Sequence, residues 1–500
     1  MIKSRFALLS TLFLSLCAAF LVWMGFSRMV APDEGYYLLA ARLLLDGKSL
    51  YRDFFYPQMP FFPYLFAGWM KIAGVGWEQA RLFNSIINIL CMLVLFEIVR
   101  LKTSRFLACL AVLLFVGAGL VLGWFSITKP YGASTLFCLI SYWLLQLKSH
   151  SLWRVFWSGL FLALAVNCRS YFVVLLPIFL IWLLQRSVSE HSRLKTFGVF
   201  ILGGILTLIP QLGFLISDFS TFWFNNVGYH LLRSEMPAAQ QWQHRFEILS
   251  AVIGLRADPR FDGVQLPLLC AGALLHLLRR AWAGRAPDPA FWIGFALFLV
   301  SIAPIPVHPQ YFCLAIPFMI ICSMIFLHES LAWCLTRTGG VGAASLLLLV
   351  LIGFYLKSFP GSIKSNVSTG VGVALLKAGN SDNATLGAIK AVSAEINLRT
   401  KPGEVVLSRW PGYLLESHAQ PYPGTENQFW VRVGHRLSAE DRRAYRIIDR
   451  NEFRTALTDP KVKLVITEES ALKGYFSKKA LIDNGFKEVK QLRGVMIYAR

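Results

Sequence analysis

Two carboxylates stand side by side at Asp33 and Glu34, in the stretch "MVAPDEGYYLLAARLLLDG" (29–47), directly behind an apolar run. Basic side chains recur at similar places further along: Arg81 in "QARLFNSI", Lys129 in "SITKPYGAS", Arg169 in "VNCRSYF" and His308 in "PVHPQYF", with Tyr311 following. A carboxylate can take the proton from an attacking hydroxyl or amine. Cations at the level of a membrane surface suit an anion, and a lipid phosphate is the anion at hand. A sugar leaving such a phosphate needs no general acid, because the phosphate is a weak base. One carboxylate then suffices, in contrast to the paired carboxyls of a glycosidase. The cations would stabilise the charge that builds on the departing phosphate. The segment "LYRDFFYPQMPFFPYLF" (50–66) adds Arg52, Asp53, Tyr56 and Gln58 as supporting residues, among aromatics and prolines that stiffen it.

These residues fall on one side of a membrane. A span takes about 20 apolar residues, and the chain has about eleven such stretches. They lie near 6–27, 80–100, 105–126, 131–147, 154–168, 171–186, 196–217, 264–279, 289–304, 310–328 and 341–358. Between them, one set of loops is short and basic: 101–105, 147–154, 185–195, 279–285 and 336–340. Positively charged loops stay in the cytoplasm, which predicts the N-terminus inside and the C-terminus outside. The other set is extracytoplasmic and holds all the candidate residues, including a first outer loop over 28–79. Within that loop, "YYLLAARLLL" (36–45) has an apolar face that predicts a helix lying along the interface. The N-terminal run to Phe26 is too long for a signal peptide and predicts an uncleaved first span.

Composition limits the alternatives. Of the 500 residues, 56% are hydrophobic and only 15% charged, against about a quarter charged in a soluble domain. The net charge of +21 belongs to cytoplasmic loops, since no nucleic-acid-binding motif accompanies it. The nine cysteines lie in or beside apolar runs without metal-ligand spacing, and are read as small apolar residues. "TGGVGAAS" (338–345) opens an apolar run without a preceding strand, which favours helix packing over a phosphate loop. After residue 358 the charge rises. "EVVLS" (404–408) and "KLVITEE" (463–469) predict strands, and "EVKQLRGVMIYAR" a terminal hairpin or pair of strands. "RLSAEDRRAYRIIDRNEFRTAL" predicts one helix with Ser438 as its N-cap. The expected fold is thus a polytopic α-helical membrane region over 1–358, followed by a small extracytoplasmic α/β domain over 359–500.

The stretch "APDEGYYLLAARLLLDGKSLYRDFFYPQMPFFPYL" resembles the multi-spanning membrane glycosyltransferases called GT-C. It is most similar to the branch of protein O-mannosyltransferases and the aminoarabinose transferases of lipid A. "QARLFNSI" and "HPQYFCLAIPFMI" (308–320) resemble further motifs of that branch. The resemblance implies a polyprenyl- or dolichyl-phosphate sugar donor, inversion at the sugar carbon, and an active site at the outer face of a bacterial inner (plasma) membrane. It implies Asp33 as base, Glu34 as a neighbour orienting the acceptor, and Arg81 on the phosphate side. Lys129, Arg169, His308 and Tyr311 join the phosphate side by topology alone. The acceptor, whether lipid, glycan or protein, has no readable code. No cofactor is specified, and a divalent cation stays an open alternative. A transporter or lipid flippase is the rival function, but that would place charges near the centres of the spans, which are nearly free of them.

Overall fold

A computed structural model describes residues 2–147, 151–186, 193–234, 236–256, 263–335, 340–369, 384–468 and 474–500. Parts of three basic loops (148–150, 187–192 and 336–339) and Glu469 of the second predicted strand lie outside the described residues. The chain opens with α1 (Ile2–Ser27), α2 (Pro32–Leu45), α3 (Phe61–Ala73), α4 (Trp77–Lys102), α5 (Arg105–Gly117) and α6 (Gly119–Phe125). It continues with α7 (Pro130–Gln146), α8 (Leu152–Cys168), α9 (Leu176–Arg186) and α10 (Arg193–Ser217). Each stretch predicted to span is helical at least in part. Among the described residues, five helices are long and apolar enough to cross a membrane on their own: Phe6–Ser27, Trp77–Lys102, Arg193–Ser217, Ile316–Cys334 and Ser345–Ser368.

The stretch predicted as one span over 105–126 bends by 65° between α5 and α6. A break in a spanning helix frees backbone groups that lipid cannot satisfy. Here Gln265 satisfies them. Its amide donates to the carbonyls of Gly117 and Tyr355, each at 2.8 Å, and its oxygen accepts the Gly119 N–H at 2.7 Å. The bend turns α6 so that its C-terminal end delivers Lys129 to the first outer loop. Elsewhere small residues set the packing. A Cβ at Gly159 would lie 2.0 Å from the Phe200 carbonyl oxygen, and one at Gly203 2.1 Å from that of Phe156. Helices α8 and α10 therefore cross at backbone contact.

The C-terminal region forms a five-stranded sheet in the order β2-β1-β3-β5-β4. Strands β1 (Val405–Ser408), β2 (Gln420–Pro421) and β3 (Val462–Glu468) are parallel. Strands β4 (Lys487–Leu492) and β5 (Val495–Ala499) form the predicted hairpin, turned through Arg493 and Gly494 at positive φ. The single helix predicted from Ser438 is two. Ser438 caps Ala439–Ala444 as expected, accepting the Asp441 N–H at 3.0 Å. Arg446 then turns to φ 56, and Asp449 caps a second helix, Arg450–Thr455, in a reciprocal capping box with Glu452.

Helix α2 is less exposed than an interfacial helix. Every residue from Glu34 to Leu43 is buried, because the C-terminal region covers it. A Cβ on Gly35 would lie 2.8 Å from Gly412 and from the Trp410 ring. The Arg42 guanidinium donates to the carbonyls of Leu414 and Ala419 and lies 3.4 Å from Asp46. One apolar core runs without interruption from the spanning helices through α2 to Ile466 and Ile497 of the sheet.

Candidate active site

The start of α2 places the two acids apart. Pro32 occupies the first turn, where its missing N–H costs nothing, and both acids follow at the positive end of the helix. Consecutive residues on a helix point in different directions. Asp33 faces a cavity of about 530 Å³, while Glu34 is fully buried behind it.

Glu34 ties four segments together. Its Oε1 accepts the Ala31 N–H at 2.8 Å and the Arg81 Nη2 at 2.7 Å. Its Oε2 accepts the Thr128 N–H at 2.9 Å. Arg81, itself fully buried, also donates to the carbonyls of Gly25 at 2.8 Å and Ser126 at 3.3 Å, where α1 and α6 end. Cations favour helix C-termini, so Arg81 neutralises carbonyl ends as well as Glu34. Arg81 does not line the cavity. Expected on the phosphate side, it sits instead within the helix packing, because Glu34 and these carbonyls take up its donors.

Lys129 and Asp33 are thereby fixed from both sides. Thr128, beside Lys129, and Ala31, two residues before Asp33, hang from the same carboxylate. The Lys129 Nζ lies 2.5 Å from Asp33 Oδ2, over the Trp124 ring at 4.8 Å and the Tyr131 ring at 5.6 Å. Arg169, at the end of α8, sits among three tyrosine rings: Tyr171 at 4.3 Å, Tyr131 at 4.5 Å and Tyr311 at 5.2 Å. Its Nε is buried and has no hydrogen-bond partner. His308 stands 5.6 Å from Tyr311, ring centre to ring centre. Burial pulls its pKa down to about 4, helped by the nearby Arg233, Lys129 and Arg432 charges and opposed by Asp33. At neutral pH this imidazole is neutral.

Of the residues proposed from sequence, Asp33, Lys129, Arg169, His308, Tyr311 and Gln58 all line this cavity. Glu34 and Arg81 do not. Arg52 and Asp53 pair with each other at 3.1 Å at the surface, and Asp53 accepts the Ser49 N–H at 2.7 Å. They shape the loop. Tyr56 is buried against Tyr36 and Tyr37, whose side chains form part of the wall.

Sequence reading missed Arg233, Tyr171, Tyr229, His230, Phe429 and Arg432, which also line the cavity. Arg233 lies in the outer loop over 218–263, so the topological argument applied to Lys129 would have found it. Arg432 comes from the C-terminal region, and no local pattern marks it. Arg233 is held by its Nε donating to the Ile305 carbonyl at 2.8 Å, and the His230 Nε2 contacts the Pro57 carbonyl at 3.1 Å.

Among the described residues lining the cavity, Asp33 is the only carboxylate, facing Lys129, Arg169, Arg233 and Arg432. That balance suits an anion. A divalent cation would find Asp33 as its one carboxylate ligand there. Among the described residues, no group of three or more His, Cys, Asp or Glu could hold a metal ion.

Residues 57–216 match the model of the family described as dolichyl-phosphate-mannose-protein mannosyltransferase. No curated protein matches the chain by sequence. The fold matches that of ArnT from Cupriavidus metallidurans, solved bound to undecaprenyl phosphate. The TM-score is 0.65 at 12% identity, covering 98% of this chain and 97% of that one. It also matches the Archaeoglobus fulgidus oligosaccharyltransferase in the apo form, with a TM-score of 0.55 at 14% identity over 92% of this chain and 69% of that one. The arabinofuranosyltransferase AftD from Mycobacteria matches at a TM-score of 0.50 and 13% identity, over 97% of this chain and 39% of its own. The chain shares the fold of these membrane glycosyltransferases.

Proposed function

We propose that the chain moves a sugar from a polyprenyl-phosphate-linked donor to a nucleophile on the acceptor, at the extracytoplasmic face of the membrane, with Asp33 as general base. The observation that carries this reading is the single carboxylate in a cavity lined by four Lys and Arg side chains. The neighbour bound to undecaprenyl phosphate supports the choice of donor. The short basic loops on the opposite side of the chain support the orientation.

In this reading the acceptor hydroxyl or amine attacks the anomeric carbon from the side opposite the phosphate. The new bond forms as the carbon–oxygen bond to phosphate breaks, which inverts the carbon. The proton passes to Asp33, and the bonding electrons leave with the phosphate. Arg169 and Lys129 face that developing charge, and preorganised donors of this kind act most strongly away from water. The Arg169 guanidinium on the cavity wall brings its charge to the phosphate. Tyr311 and the neutral His308 complete the wall as hydrogen-bonding groups.

Glu34 and Arg81 act at one remove, as positioning residues. Glu34 holds Ala31 and Thr128, the neighbours of Asp33 and Lys129, and Arg81 holds Glu34. Glu34 is fully buried, which supports a positioning role over contact with the acceptor.

The test is Asp33→Asn. Sugar transfer falls by roughly 10²–10⁴-fold, the usual contribution of a positioned base, while binding of undecaprenyl phosphate persists. A transporter or flippase would instead keep its lipid movement in this variant and show no glycosyl transfer in the unmodified protein.

A further inference from the structure

The short helix Trp430–Val433 brings Arg432 to the cavity wall and belongs to the C-terminal region, far along the chain from most of the other lining residues. Its placement is specific. Gln428 Nε2 donates to the Pro32 carbonyl at 3.1 Å, and the Trp410 Nε1 donates to that same carbonyl at 2.8 Å. Phe429 meets the Tyr36 ring edge-on at 5.4 Å and lies 6.5 Å from the Tyr229 ring. The residue just before Asp33 thus receives two hydrogen bonds from the C-terminal region.

Arg432 is presented by this anchored turn. Its guanidinium lies over the Phe429 ring at 5.2 Å. Among the described residues the guanidinium makes no ion pair or hydrogen bond, while the Arg432 backbone N–H donates to the Phe429 carbonyl. The other lining cations are engaged differently. Lys129 is paired with Asp33, Arg169 is enclosed by tyrosines, and Arg233 is tied to the Ile305 carbonyl. With one carboxylate against four such cations, the lining carries a net charge of +3 (four minus one). The phosphodiester of a lipid-phosphate sugar brings a single negative charge. Since Lys129 is paired with Asp33, the surplus rests on Arg169, Arg233 and Arg432.

Resting on the reading of the cavity as a glycosyl-transfer site, we propose that Arg432 is a substrate-contacting residue that binds an oxyanion, a phosphate or a carboxylate, so that the C-terminal region forms part of the substrate site. The oxyanion belongs either to the donor lipid or to a second ligand at the acceptor side. A guanidinium matches such a group with two parallel N–H donors, which Lys cannot reproduce in geometry but does in charge.

The experiment compares the full chain with Arg432→Ala, Arg432→Lys and Arg432→Glu in detergent. Two probes are used: undecaprenyl phosphate alone, and sn-glycerol 3-phosphate added to protein saturated with undecaprenyl phosphate. A charge-assisted hydrogen-bond pair is worth about 1.5–3 kcal/mol, so the Ala variant weakens one probe by at least about tenfold. The Glu variant weakens it further, and the Lys variant recovers part of the loss. Weakening of the first probe assigns Arg432 to the donor phosphate. Weakening of the second alone assigns it to the acceptor side. Unchanged binding of both probes in the Ala and Glu variants overturns the proposal. Unfolding midpoints matching the unmodified protein exclude a folding defect. The binding readouts are independent of the base, so a failure of the Asp33 reading leaves them interpretable.

Discussion

At the scale of the residue, adjacent acids have opposite environments. Asp33 opens to the cavity with its side chain 27% exposed, and Glu34 is at 0%. One residue of helical rotation separates a group that can meet substrate from one that cannot. The sequence displays both acids equally, and the contrast arises from what packs on either side of α2. His308 yields a pH prediction. Its folded pKa, about 4, lies below the ordinary histidine value near 6.5. The unfolded chain therefore binds more protons between those values, and stability rises with pH across that window. Stability from this group is intact above pH about 6.5 and is lost progressively as pH falls toward 4. The unfolding midpoint drops over that range, and His308→Gln makes the drop shallower. An equal slope in the variant would assign the pH dependence to other groups, such as His230, whose pKa burial also lowers.

At the scale of the element, the site depends on how α2, α4 and α6 end. Glu34 is the joint. Removing it leaves Arg81 buried without its carboxylate, along with the Ala31 and Thr128 N–H groups it satisfied. Breaking a buried pair this way costs about 3–5 kcal/mol. Glu34→Ala is therefore expected to lower the unfolding midpoint and to reduce turnover while Asp33 is still present. Thermal unfolding and transfer assays on the same sample check this, and an unchanged midpoint would remove Glu34 from the joint. The elements themselves were readable where a local signal exists: apolar runs, the Ser438 cap and the Arg493–Gly494 turn. The bend after Gly117 was not, because the residue that permits it is Gln265, far along the chain. The division of one predicted helix at Arg446 depends likewise on the Asp449 and Glu452 box, which an amphipathic pattern hides. Topology predicted that Lys129, Arg169 and His308 share one side, and they share one cavity. It could not give their convergence, which needs the packing.

At the scale of the molecule, the membrane helices share a core with the C-terminal sheet, and a cavity with Phe429 and Arg432 of the C-terminal region. The C-terminal region grips α2 through Trp410, which donates to Pro32 and packs against Trp77 and Tyr413. Trp410→Phe keeps most of that packing and loses the hydrogen bond, worth about 1 kcal/mol. Expected is a small loss of stability with a larger loss of turnover, read as a fall in kcat with little change in donor binding. Equal turnover would show that the C-terminal contact does not position Asp33. The sequence separated 1–358 from 359–500 by composition, and composition is blind to such contacts. Phe429 and Arg432 had no signal short of the folded chain.

The central claim is that Asp33 takes the acceptor's proton. The measurement is turnover of a lipid-phosphate-linked sugar by Asp33→Asn, with undecaprenyl phosphate affinity measured on the same preparation. The account predicts a loss of transfer of roughly 10²–10⁴-fold with affinity held within about threefold, well under the tenfold that 1.4 kcal/mol represents. Transfer at the unmodified rate would contradict it.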